Sequence, residues 1–336
     1  RGELFTIATD RGDITRLAES QSRETSPRWS PDGKTIALLS DRSGREEVWL
    51  CDPLGKNLKQ ITDSDTEKGA LVWAPDSKSL LYNSSDKKLY RYTVEDGKTA
   101  VVASSEVSRI TFPRFSPDGK WVSYAKADRN LRPHVYVAPV AGGPERHIAD
   151  ERVFSEQAAV WTPDGRWLLY VAGTMQGGIA TVRQAATELH IVSLRQQEKD
   201  PAERDIDDEQ AAAAAEAAER QRRPGEGLRP AAEAKPPEVK IDWDGIERRV
   251  RVLARFSDMI FSPTPSPDSR SVAFVVTSEV EGRLAPAIWV AAVDGQRLTR
   301  VFQTQPRAED EEPPMPGFFG GIMSDLAYSK DGRTLF

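Results

Sequence analysis

Apolar residues along this chain come in short bursts rather than in long amphipathic stretches. Residues 36–39, 80–82, 121–124, 167–171 and 272–276 are dominated by Ile, Leu, Val, Trp and Tyr, and each burst is bounded by turn-forming residues. Runs this short are too brief for helices and read as buried β-strands. A second set of apolar-rich runs follows them, at 47–51, 88–94, 134–140, 188–194 and 287–293. Shorter segments then close each unit near Ile61, Val102, Ile148, Leu253 and Val301. With the residues that precede each burst, the pattern predicts units of four strands.

One tetrapeptide sets the period. Ser30-Pro31-Asp32-Gly33 returns as Ala74-Pro75-Asp76-Ser77, Ser116-Pro117-Asp118-Gly119 and Thr162-Pro163-Asp164-Gly165. It returns again as Ser266-Pro267-Asp268-Ser269 and Ser329-Lys330-Asp331-Gly332. From Asp to Asp the spacings are 44, 42, 46, 104 and 63 residues. A period of about 40–45 residues matches the four-stranded blade of a β-propeller. Proline presets the first turn position, Asp suits the second, and glycine takes the left-handed position that follows, which closes a tight hairpin. Trp29, Trp73, Phe115 and Trp161 precede the turns and are expected to pack between blades.

The fold predicted is therefore all-β, a propeller of four-stranded blades with six repeat units. Residues 2–8 and 13–18 read as third and fourth strands, and 322–336 as a first and second strand. The two half-units either complete each other in a closed six-bladed ring or belong to a larger propeller cut within a blade. Arg1 at the first position favours a fragment or a processed product.

Two insertions interrupt the period. Residues 195–246 contain Ala211–Ala215 flanked by Glu and Arg, which predicts a helix over 203–223 stopped by Pro224-Gly225. A Pro-, Ala- and Glu-rich linker follows to Pro237. Residues 303–321 are acidic and then rich in Pro, Gly and Phe, with Phe318 and Phe319 between glycines. These two phenylalanines are the candidate substrate or partner contact.

Composition narrows the function classes. The 336 residues carry 46 basic and 52 acidic side chains, a net charge of −6, which argues against broad nucleic-acid binding. The longest uncharged stretch, 167–182, contains Gly173, Gly177 and Gly178 and falls short of a membrane-spanning helix. The single Cys51 excludes an internal disulfide and reads as a core residue. His134, His147 and His190 are scattered on predicted strands or their ends, where packing or surface roles outweigh metal ligation, so no metal and no cofactor is predicted. Neither Gly33-Lys34-Thr35 nor Gly97-Lys98-Thr99 has the upstream glycine of a phosphate-binding loop, and no GxSxG elbow exists. Asn83-Ser84-Ser85 has the form of a glycosylation sequon, a pattern frequent by chance. No constellation for nucleophilic or acid–base catalysis is present in the sequence.

The segment 29–44, with its Trp-Ser-Pro-Asp-Gly-Lys and Ser-Asp-Arg stretches, resembles the propeller repeats of TolB, dipeptidyl-peptidase and tricorn-type proteins. Ile241-Asp242-Trp243-Asp244-Gly245-Ile246-Glu247-Arg248-Arg249-Val250 resembles a segment in the second propeller of bacterial tricorn protease homologues, and residues 1–7 are similar to that propeller's start. The resemblance implies a non-catalytic propeller of a cytoplasmic, hexameric serine peptidase that degrades oligopeptides. The propeller would gate or channel peptide substrates toward downstream PDZ-like and catalytic domains. No position here matches the family's catalytic residues. The family's second propeller is usually seven-bladed, one more unit than counted here. The alternative is a free-standing, protein-binding propeller of the TolB type.

Overall fold

The computed structural model describes residues 4–7, 14–17, 22–149, 153–176, 183–196, 237–280, 283–304 and 326–336. A two-stranded hairpin, β1 (Phe5–Thr6) and β2 (Thr15–Arg16), comes first. Five four-stranded antiparallel sheets follow. The first blade holds β3 (Glu24–Trp29), β4 (Ile36–Ser40), β5 (Glu47–Cys51) and β6 (Lys59–Gln60). The second holds β7 (Lys68–Trp73), β8 (Ser79–Ser84), β9 (Lys88–Thr93) and β10 (Thr99–Ser104). The third holds β11 (Thr111–Phe115), β12 (Trp121–Ala127), β13 (Pro133–Pro139) and β14 (Arg146–His147). The fourth holds β15 (Ser155–Trp161), β16 (Trp167–Gln176), β17 (Arg183–Ser193) and β18 (Val250–Phe256). The fifth holds β19 (Met259–Pro265), β20 (Ser271–Val280), β21 (Arg283–Ala292) and β22 (Leu298–Gln303). Each sheet is a simple meander, and the first strands of successive blades touch one another, so they form the innermost ring. This is the β-propeller that the repeat predicts.

The six repeat units resolve into five complete blades and two partial ones. The sixth turn closes on an isolated Tyr328–Leu335 bridge. Among the described residues, this bridge and the β1–β2 hairpin do not join into one sheet. Leu17 of the hairpin packs on Ile36, Leu38 and Cys51, and Thr264 Oγ1 donates to Leu326 O at the other end. The predicted helix over 203–223 and Phe318 and Phe319 lie outside the described residues.

The tetrapeptide turns have the geometry their sequence implies. Gly33, Gly119, Gly165 and Gly332 have φ between 67° and 71°, and Ser77 and Ser269 take the same left-handed conformation. In the first turn Ser30 Oγ donates to Asp32 Oδ1 at 2.6 Å, and the same carboxylate oxygen accepts Lys34 N–H at 3.1 Å. The hydroxyl of Ser30 accepts Thr35 N–H at 3.0 Å. These bonds hold the Asp32 carboxyl below its ordinary pKa, and the equivalent bonds do the same for Asp268 and Asp331. Two turns also bind their predecessors. Ser77 Oγ accepts Asp32 N–H at 3.0 Å, and Ser269 Oγ accepts Asp164 N–H at 3.0 Å. The departures from glycine thus serve as ties between neighbouring turns.

Each innermost strand carries a bulge that no glycine announces. Ser26, Ala70, Phe112, Ala158 and Ser262 have φ of 53°, 46°, 50°, 53° and 50°. Each lies three residues before the residue that closes its strand, and at each the register slips so that two residues oppose one. The opposed residues are Leu38, Tyr82, Tyr124, Tyr170 and Phe274, all buried. The bulge makes room on the inner strand for a large buried side chain of the second strand. A non-glycine residue in this conformation costs roughly 1–2 kcal/mol, so the strain repeats in every complete blade.

The tryptophans behave as seam residues with one exception. Trp73 packs on Ala37, Leu39 and Leu50 of the preceding blade and donates Nε1–H to Arg28 O at 2.9 Å. Trp161 packs on Val135 and Val137 of the blade before it and donates to Ser123 Oγ at 2.9 Å. Trp29, expected to be buried, is half exposed. The blade before it comprises only β1 and β2 among the described residues, so no inner strand covers that face. Cys51 is buried as expected, and burial pushes its thiol up to about 11. Asn83 is buried too, with its amide donating to Ile110 O at 2.6 Å, so the folded chain does not offer it for glycosylation.

Two outcomes test this description. Ala70 is exposed, so Ala70→Gly relieves the left-handed cost without removing a contact. It is expected to stabilise the chain by about 0.5–1 kcal/mol, after the entropy glycine adds to the unfolded state, seen as a higher urea midpoint. Ser77→Ala keeps the strain and loses the tie to Asp32. It is expected to cost about 1 kcal/mol, with Ser77→Gly recovering most of that loss in the same titration.

Candidate functional site

One position in every blade reaches into the seam behind it. Glu24, Lys68, Ile110, Glu156 and Ile260 each stand two residues before the bulge of an innermost strand, and all five are buried. For Lys68 and Glu156 the residue faced lies at the start of the third strand of the preceding blade, whereas Glu24 pairs with Arg42 of its own blade. At the seam of the first and second blades the residue faced is Glu47. Lys68 Nζ lies 2.6 Å from Glu47 Oε2, with both side chains 1% exposed. Thr62 Oγ1 donates to Glu47 at 2.5 Å, Ser64 N–H donates at 3.0 Å, and Lys68 Nζ donates to Ser64 O at 2.9 Å. Burial pushes the Glu47 carboxyl up, but Lys68 and these donors outweigh it and hold the pKa below its ordinary value. This seam is a completed ion pair.

The seam of the third and fourth blades holds histidines instead. His134, the second residue of β13, takes the register position of Glu47, opposite Lys126 as Glu47 is opposite Ser40. His147 lies on β14, paired with Tyr136. The two imidazoles stand edge to face with centroids 5.2 Å apart. Glu156, from β15 of the next blade, points between them and is fully buried. Its Oε2 accepts Val135 N–H at 3.0 Å and lies 2.9 Å from His147 Nε2. Its Oε1 is 3.8 Å from His134 Nδ1, beyond hydrogen-bond reach, and both atoms are buried without a partner. Asp128 Oδ2 lies 3.7 Å from His134 Nε2. Desolvation pushes the Glu156 carboxyl up, but the two histidines pull it below its ordinary value. The Glu156 carboxylate in turn raises His134. The ligand atoms of His134, His147 and Glu156 all fall within 4.8 Å of one another.

This cluster sits at the end of the blades opposite the tetrapeptide turns, since Trp121 pairs with Pro139 at the turn end and Lys126 with His134 at the other. The two imidazoles are 14% and 25% exposed, so the site opens to solvent on that mouth. Sequence reading kept the histidines apart because His134 and His147 are 13 residues apart across a hairpin. The signal it lacked was the blade register, which places His134 and Glu156 at facing seam positions. His190 is not part of the cluster. It sits on β17 opposite Tyr170, 3.1 Å from that hydroxyl and 2.7 Å from Glu188, in the place Tyr90 and Tyr136 take in other blades.

On the turn face a cleft of about 840 Å³ lies between the fourth and fifth blades, lined by Arg166, Trp167, Arg195, Lys240, Asp268 and Arg270 among others. Beside it, residues 237–246 leave the predicted insertion and join the fold. Val239 is buried and donates N–H to Asp118 Oδ2 at 2.9 Å. Trp243 packs edge-on against Trp121 at 5.7 Å, with the Arg146 guanidinium 5.0 Å above its ring. Gly245, at φ 63°, turns the chain into a short 3-10 helix, Ile246–Arg249, that leads into β18.

Comparison with known proteins places the fold. No protein-family profile matches the chain. The tricorn protease structure superposes on 99% of this chain and 30% of its own, with a TM-score of 0.67 and 13% identity. The chain is a β-propeller similar to that of the tricorn protease. It is also 38% identical over 73 residues to tricorn protease homolog 1 of Streptomyces coelicolor, covering 22% of this chain and 7% of that protein. It is 26% identical over 170 residues to the uncharacterized peptidase YuxL of Bacillus subtilis, covering 50% of this chain and 25% of that protein. The propeller thus spans a quarter or less of these two relatives' length.

The seam ion pair makes a prediction of its own. Glu47→Gln leaves Lys68 buried without its counter-charge and is expected to cost about 3–5 kcal/mol at neutral pH. Because the folded pKa of Glu47 is depressed, its stabilisation is present above the ordinary value of 4.5 and fades as pH falls through the lower folded value. The gap between wild type and variant in urea unfolding should therefore close on acidification below about pH 4.5.

Proposed function

We propose that this chain is the non-catalytic propeller of a tricorn-like peptidase, and that it admits or channels oligopeptides toward a catalytic domain elsewhere in the protein. The observation that carries the reading is the stretch 38% identical to a tricorn protease homolog. The fold supports it, since a ring of blades leaves a central channel bordered by the innermost strands. Peptides are the proposed substrate class, a hexamer and a cytoplasmic setting are proposed with it, and residues 313–321 with Phe318 and Phe319 are the proposed rim.

The test uses the intact protein that carries this chain. Deletion of residues 313–321 is expected to change the cleavage of long peptides while sparing a short chromogenic substrate, as measured by kcat/KM for each. Equal kcat/KM for both substrates before and after the deletion would remove the gating role. Peptide hydrolysis by the purified propeller alone, followed by mass spectrometry, would overturn the non-catalytic assignment.

A further inference from the structure

We propose that His134, His147 and Glu156 form a binding site for a divalent transition-metal ion of the Zn²⁺ class, clamped across the seam of the third and fourth blades. Donors about 2.0–2.1 Å from a tetrahedral zinc lie about 3.3 Å from one another. Here His147 Nε2 lies 2.9 Å from Glu156 Oε2 and His134 Nδ1 lies 3.8 Å from Glu156 Oε1, and one ligand atom from each of the three residues falls within 4.8 Å of the others. Rotation of these side chains would close the wider gaps.

The second observation is independent of the spacing. Glu156 is fully buried, and its Oε1 and the Nδ1 of His134 face each other across a gap with no hydrogen-bond partner. Two buried polar atoms left unpaired cost free energy, and a cation between them would satisfy both. The matching position at the first seam shows what a finished clasp looks like. There Lys68 supplies the positive charge, and Thr62 and Ser64 saturate Glu47. The third seam has the carboxylate but two neutral-capable imidazoles in place of the ammonium, so a bound cation would complete it.

The surroundings suit a metal. Asp128 Oδ2 lies on the Nε2 side of His134, leaving Nδ1 for the ion, in the carboxylate–histidine–metal order that orients ligating imidazoles. Val135 N–H fixes Glu156 Oε2. The Tyr136 ring lies beside His147, 5.6 Å between centroids, and limits its rotation. Three protein ligands and partial exposure leave a fourth position for water or for a carboxylate arriving from the solvent. Binding displaces the proton that His147 Nε2 shares with Glu156, and that proton goes to solvent.

The test takes metal-stripped protein and titrates it with Zn²⁺ in a calorimeter and with Co²⁺ by visible absorption. One ion per chain is expected, with the intense ligand-field bands of low-coordinate Co²⁺. His147→Gln, whose side chain is partly exposed, is expected to weaken binding by at least about 100-fold, since the loss of a supporting group alone costs roughly 10–100-fold. Asp128→Asn should fall within that smaller range. A measurement without variants keeps the outcome decisive. The chain has three histidines, so the imidazole signals of a ¹⁵N spectrum should shift for His134 and His147 on adding Zn²⁺ and stay in place for His190. Absence of saturable binding, affinity unchanged in His147→Gln, or Zn²⁺ shifts that include His190 and spare His134 would each overturn the proposal.

Discussion

The propeller depends on one crowding problem at its axis. Innermost strands of neighbouring blades touch, and the second strand of each blade must still bury a large side chain against them. The solution is the two-against-one bulge, repeated at Ser26, Ala70, Phe112, Ala158 and Ser262. It opens the inner strand opposite Leu38, Tyr82, Tyr124, Tyr170 and Phe274, and a bulge also raises local twist. Each blade accepts left-handed strain of roughly 1–2 kcal/mol, against about 1.5–3 kcal/mol from fully burying one large apolar side chain. The strain is tolerable because the bulk it admits is what seals the blade.

The bulge fixes a second feature. The residue two positions before it is swung into the seam with the previous blade, where it is buried whatever its chemistry. The chain fills this position in different ways. Ile110 and Ile260 close their seams apolarly, Lys68 meets Glu47, and Glu156 meets two histidines. Glu24 lies in the remaining case, ion-paired to Arg42 of its own blade. A buried charge costs several kcal/mol unless paired, so Lys68 and Glu156 each require a matching residue on the blade they face.

Most of the architecture was legible because it is periodic. The turn Ser30-Pro31-Asp32-Gly33 and its relatives fix both the hairpin and the interval, and the apolar bursts fix the second strands. The bulges were not legible, since Ser26, Ala70 and Phe112 are ordinary residues for a strand and only the packing opposite them requires φ near +50°. Trp29 shows the limit of local pattern: it precedes the same kind of turn as Trp73 but has a different blade beside it. The histidine cluster failed for a related reason. His134 and His147 are brought together by the β13–β14 pairing, and Glu156 reaches them from another sheet. Spacing along the chain contains none of this until the blades are aligned with one another. The turn motif itself does not show that the hydroxyls of Ser77 and Ser269 tie adjacent turns.

The seam of the third and fourth blades is held at both ends by devices found at no other described seam. At the turn end the returning chain of the insertion lies across it, with Val239 against Asp118 and Gly165 and Trp243 against Trp121. A Cβ on Gly165 would stand 2.7 Å from Val239 Cγ2, so the glycine is required by this crossing as well as by its φ of 67°. At the opposite end the His134–His147–Glu156 cluster bridges the same two blades. The insertion leaves the fourth blade after β17, and its end packs on the third before entering β18. The chain that returns from it is therefore anchored at this seam. Surface contacts such as Lys120 with Glu238 contribute little there. Separating the blades would instead break every contact of the buried Glu156 carboxylate with His134, His147 and Val135, because those partners all lie on the third blade.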